Sequence, residues 1–223
     1  MSGANRLFIA AATAAAVSLL LYLPDREDGS GATLGGLLVL GGVVLVLVPL
    51  ARYRPLPKRS LREHGQLILQ ALALGAGLGI ANLLVNYGLA ISRSAIHEQM
   101  ISRWAQFSTW SVVISGPIIE EVSYRLILLG ALAWLAARFT NSQRTITRVA
   151  LGVSSALFGV AHIFYGGVDD PVYMVGMAVK SAAGGLLLGW IFWRWGLVCS
   201  IASHCAANGM HLLLMPALFQ LNV

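Results

Sequence analysis

The sequence predicts an all-α fold, a polytopic membrane helix bundle of about seven transmembrane helices. Hydrophobic residues make up 57% of the 223-residue chain and charged residues 11%, against about 25% charged in soluble domains. Its apolar runs are long enough to cross about 30 Å of hydrocarbon. No polar stretch between them is long enough to form a separate soluble domain.

The spans fall at about 7–23, 32–50, 66–92, 106–137, 149–165, 173–194 and 197–219. The first, "LFIAAATAAAVSLLLYL", follows Arg6 in the manner of a signal peptide. No small-residue cleavage site separates it from "PDREDGSG" and a second span follows at once, so it is expected to be retained. In the third, Gly75, Gly77 and Gly79 of "LGAGLGIA" are expected to give a small-residue face for close helix packing. They are not a phosphate loop, because no Lys-Ser/Thr follows. Cys199 and Cys205 lie six apart in the seventh span and do not share a face, which argues against a disulfide or a metal pair.

Charge sets the expected orientation. Arg6, Arg52, Arg54, Lys58, Arg59, Arg62, Arg138, Arg144, Arg148 and Arg194 fall on one side of the spans. Only Arg26, Arg93 and Arg103 fall on the other. The positive-inside rule then places the N-terminus in the cytoplasm and the C-terminus outside. The net charge of +6 belongs to topology and anionic-lipid contact, and no basic stripe suggests nucleic acid.

Four formal charges remain within spans: Glu120, Glu121, Arg125 and Lys180. Glu121 and Arg125 are spaced i, i+4 with the acid first, the favourable order for an intrahelical ion pair. Glu120 points about 100° away round the helix and is left to face a cavity. Lys180 is expected either to pair with a glutamate from across the bundle or to line a water path. His162 sits in the fifth span. His204 and Asn208 share a face of the seventh at i, i+4, with His211 near it. Polar groups on three separate spans must each avoid lipid, so they are expected to converge inside the bundle. The set suits hydrolysis of an acyl bond by an activated water. A carboxylate withdrawn from bulk water is a good general base, a histidine holds and polarises the water, and a second histidine with an amide stabilises an oxyanion. Ser123, Ser200 and Ser203 sit in no nucleophile motif.

Three motifs carry a resemblance. "EEVSYR" fits E-E-x-x-x-R at Glu120, Glu121 and Arg125, "FGVAH" fits F-x-x-x-H at Phe158 and His162, and "HCAAN" fits H-x-x-x-N at His204 and Asn208. In this order and spacing they resemble the type II CAAX prenyl endopeptidases and their bacterial relatives, the CAAX protease and bacteriocin-processing (CPBP) family of intramembrane proteases. The resemblance covers about 105–215. It implies a protease core over 105–223, while the N-terminal transmembrane helices and loops over 1–104 are read only from their apolar runs. It further implies an intramembrane endopeptidase acting on a lipidated or membrane-associated peptide or protein, whether CAAX-type processing or processing of a leader, pheromone or bacteriocin. The expected location is the bacterial inner (plasma) membrane. Glu120 would be the base, His162 would share the water, and His204 with Asn208 would form the oxyanion hole. Glu121, Arg125, Tyr124 and Phe158 would support them. Tyr124 stands where the family usually has Phe, and Leu126 where it often has Gly.

Glu120, His162 and His204 would also serve as zinc ligands, although no H-E-x-x-H helix is present. The same three groups suffice to hold a water, so purified protein is expected to carry little stoichiometric metal. Two rivals belong to other classes. A non-catalytic immunity or scaffold protein of the same fold is set against the complete motif set. An ion or proton transporter would need inverted repeats that the sequence does not display.

Overall fold

The computed structural model describes residues 60–91, 108–166 and 170–219, and every regular element among them is helical. The expected spans at 7–23 and 32–50 lie outside the described residues. Four helical stretches are long and apolar enough to cross a membrane: Leu61–Leu89, Gln143–Ile163, Pro171–Trp195 and Leu197–Pro216. A further helical run, from 109 to 136, carries Glu120, Glu121 and Arg125.

Helix α1 spans Leu61–Ile91 and starts earlier than its apolar run because a capping box closes its first turn. The Ser60 amide donates to Glu63 Oε2 at 2.6 Å, and the Glu63 amide donates back to Ser60 Oγ at 3.2 Å. The run from 109 to 136 is not a uniform α-helix. It winds as π1 (Ser111–Ser115), α2 (Gly116–Glu120), π2 (Glu121–Leu129) and α3 (Gly130–Ala136). Pro117 accounts for the first wide turn. It has no N–H to give to the fourth residue back and its ring crowds that carbonyl, so the ladder opens and the Gly116 amide reaches Ser111 O instead. The passage from α2 into π2 falls between the two glutamates.

Helix α4 spans Gln143–Gly166, α5 Pro171–Trp195 and α6 Leu197–Phe219. Asp170 caps α5 by accepting from the Tyr173 amide at 2.9 Å, with Pro171 in the first turn. A single glycine ends it. Gly196 has φ of 102°, a conformation that side chains disfavour, and α6 begins at the next residue. This turn separates the two spans that the sequence places back to back.

Two kinds of contact assemble the bundle. An apolar core of Val122, Leu126, Leu129, Ala150, Phe192 and Leu197 ties π2 to α4, α5 and α6. Leu126, where related motifs often have Gly, is fully buried in it. On the other side α1 packs along α6, although it precedes the expected core boundary at 105. Gly75 lies against the Ser203 backbone and Gly79 against the Ala207 backbone, while Gly77 faces open space. The expected small-residue face is therefore made by two of its three glycines, and α1 and α6 run parallel. Because a Cβ at Gly75 or Gly79 would strike a carbonyl rather than a flexible side chain, the helices would have to part. Gly75→Ala and Gly79→Ala are each expected to cost about 1–3 kcal/mol, and Gly77→Ala nothing. Thermal unfolding in detergent checks this; equal melting of all three variants would refute it.

Candidate active site

The two adjacent glutamates have different surroundings. Glu121 is fully buried, whereas the Glu120 side chain is 26% exposed. Glu121 Oε2 lies 3.3 Å from Arg125 Nε, the pair anticipated from their spacing. Arg125 is itself completely buried. Its guanidinium lies over the Phe158 ring at 4.7 Å and reaches Ser154 Oγ at 3.5 Å. The Ser154 hydroxyl donates to the Tyr124 carbonyl at 3.0 Å, locking π2 onto α4.

Glu121 does more than hold Arg125. Its Oε1 lies 2.9 Å from His204 Nδ1, and the Ser200 hydroxyl contacts Oε2. Ser200 Oγ also lies 3.0 Å from the Leu188 carbonyl, so α5, α6 and π2 meet at the Ser200 hydroxyl. With Glu121 ionised beside Arg125, His204 Nδ1–H is the donor. That directs His204 Nε2 to the Glu120 side, where it lies 3.6 Å from Oε2.

His162 is oriented in a similar way. Its Nδ1 lies 2.8 Å from the Phe158 carbonyl one turn back. A carbonyl only accepts, so Nδ1 carries the proton and Nε2 presents its lone pair. His162 Nε2 is 4.0 Å from Glu120 Oε2. Phe158 packs beside both imidazoles, with ring centroids 4.3 Å from His162 and 6.2 Å from His204. Tyr124 meets the Phe158 edge at 5.0 Å, so tyrosine still supplies the aromatic contact at this position.

The structure thus brings Glu120, His162 and His204 together and gathers Glu121, Arg125, Tyr124 and Phe158 around them. Asn208 faces the same helical run, and its Nδ2 donates to the Val112 carbonyl in π1 at 2.9 Å. An amide nitrogen carries two protons, so this bond anchors the side chain and leaves one donor. Among the described residues Lys180 reaches no glutamate; its Nζ donates to Asn86 Oδ1 at 2.9 Å. Ser154, Ser200 and Asn86 went unrecognised as partners. Ser200 precedes His204 by four, and Ser154 precedes Phe158 by four, so helical spacing carried a signal for both. Asn86 had none beyond being polar in an apolar run.

Residues 102–210 match the family model described as type II CAAX prenyl endopeptidase Rce1-like. These residues belong to that family. The match takes in π1 through most of α6, and with them every residue of the three motifs. No curated protein and no solved structure matched the chain. The Rce1-like family is a family of proteases, and with its apolar helices the chain is an integral membrane protein. As for zinc, among the described residues no group of three or more His, Cys, Asp or Glu is drawn together as a metal ion would require.

Proposed function

We propose that this protein is an intramembrane endopeptidase that cleaves a lipidated or membrane-associated peptide by means of a water held between Glu120 and His162. The observation that carries the reading is Glu120 Oε2 set 3.6 and 4.0 Å from two imidazole nitrogens. Those separations exceed direct hydrogen-bond lengths and suit a bridging water. Glu120 takes the water's proton as the oxygen attacks the scissile carbonyl. His162 Nε2 accepts from the same water and aims it. His204 and the remaining Asn208 N–H stabilise the oxyanion. To donate from Nε2 as well as Nδ1, His204 must be the imidazolium, and Glu121 on Nδ1 carries the countercharge. The basic loops support an orientation with the N-terminus inside, and the membrane proposed is the bacterial plasma membrane.

The test is cleavage in proteoliposomes of a panel of prenylated C-a-a-X peptides and unprenylated leader peptides. Cleavage of none of them would refute the reading in favour of a scaffold or immunity role. Asn208→Ala is expected to lower kcat roughly 100–1000-fold with KM little changed, since an oxyanion donor acts in the transition state. A rise in KM alone would make Asn208 a substrate-positioning group. Elemental analysis after gentle purification is expected to find little metal. About one zinc per chain, lost with activity in His162→Ala, would make this a metalloprotease with an open catalytic site.

A further inference from the structure

The proline that opens the motif helix leaves one carbonyl without a helical donor, and a site residue takes it up. In an α-helix the Val112 carbonyl would accept from the Gly116 amide, four residues on. In a π-helix it would accept from residue 117, five on. Neither donor reaches it here. The Gly116 amide is given to Ser111 O, and Pro117 has no N–H. A backbone carbonyl inside a membrane bundle needs a donor. The one that Val112 O receives is Asn208 Nδ2, at 2.9 Å.

The neighbouring contacts hold this arrangement. Pro117 is fully buried. A Cβ on Gly116 would stand 2.8 Å from Ser111 O, so glycine is what lets the wide turn close on that carbonyl. α6 passes close to π1 at this level: a Cβ on Gly209, beside Asn208, would lie 3.7 Å from Val113 Cγ1. Because a carbonyl only accepts, Val112 O also selects which way round the Asn208 amide sits. The nitrogen faces Val112, and its second N–H is left to the site.

Resting on the proteolytic reading, in which Asn208 donates to the oxyanion, we infer that Pro117 is a positioning residue of the active site. By denying Val112 O its helical donor, it holds out a backbone acceptor that sets the Asn208 amide. Gly116 and Pro117 open the five-residue α2, which ends at Glu120. One short segment thus carries the base and, through Val112, fixes the oxyanion donor.

Pro117→Ala supplies the missing donor. The ladder then closes on Val112 O and draws that carbonyl in along the helix axis, away from Asn208. The expected result is a kcat lowered about ten- to hundredfold with KM little changed, since misplacing a group by about 1 Å costs on the order of a hundredfold. Melting in detergent should be no lower than for the wild type, because alanine is the better helix former. Lactic acid placed at position 117 by nonsense suppression gives an ester that lacks both the N–H and the ring. It should restore kcat; failure to do so would show that the ring and not the absent N–H matters, and would overturn the proposal. In an Asn208→Ala background Pro117→Ala should cost nothing more, because it acts through a group already gone. A merely structural proline would instead give independent losses in the two variants, and that result also overturns the proposal.

NMR of protein labelled with 15N-asparagine separates this proposal from the proteolytic one. The Asn208 side-chain signal, identified by its loss in Asn208→Ala, should shift in Pro117→Ala and return in the ester. A shift in protein that cleaves no peptide would keep the dependence of Asn208 on Pro117 and sink the protease. Cleavage with both signal and kcat unchanged in Pro117→Ala would do the reverse.

Discussion

Glu120→Gln is expected to leave the protein folded and to abolish peptide cleavage. The substitution is nearly isosteric, and Glu120 takes part in no fully buried ion pair. Its partners are the two imidazole nitrogens at 3.6 and 4.0 Å, and an amide fits that space. What is lost is the ability to accept a proton from water. General-base catalysis contributes about 100–10,000-fold, so single-turnover cleavage should fall by at least the lower figure. Melting in detergent should match the wild type. Retained activity in Glu120→Gln would mean that the base is another group.

Glu121→Ala should behave in the opposite way, with folding lost before chemistry can be assessed. Its carboxylate is fully buried and serves Arg125, His204 and Ser200 together. Removing one partner of a buried ion pair costs about 3–5 kcal/mol, because the other charge is left uncompensated. Here the stranded charge is the Arg125 guanidinium, also completely buried. The expected result is a sharp fall in yield and melting temperature. Because the cost is that of an orphaned charge, Glu121→Leu combined with Arg125→Met should recover much of the stability. Activity should not return, since His204 would still lack its Nδ1 partner. A double variant no more stable than Glu121→Ala would show that the pair holds the fold by more than its charges.

The four helical stretches long enough to cross a membrane coincide with apolar runs, and their ends follow local chemistry: the Ser60–Glu63 box, the Asp170 cap and the Gly196 stop. Such features are legible in a sequence because they involve neighbours within a turn or two. The Glu121–Arg125 pair was legible for the same reason, as was the shared face of His204 and Asn208. The winding of the motif helix was less so. Pro117 marks where the ladder can open, but a uniform α-helix is the default until the hydrogen bonds are seen.

By itself the sequence determined a membrane bundle, the helical face of each motif, and a set of polar residues too costly to leave in lipid. That they meet was an expectation from energetics, and motif order strengthened it. Which atoms face which was decided by the tertiary structure alone. Glu121 lies 83 residues from His204, and Lys180 lies 94 residues from Asn86. No helical period relates positions so far apart. Their contact depends on how closely α5 approaches α1, where Gly176 lies against Leu89, and on the side of the bundle to which π2 turns its second glutamate. Helix packing therefore made Glu121 the partner of a site histidine as well as of Arg125, and gave Lys180 an amide where the sequence left it either a glutamate or a water path.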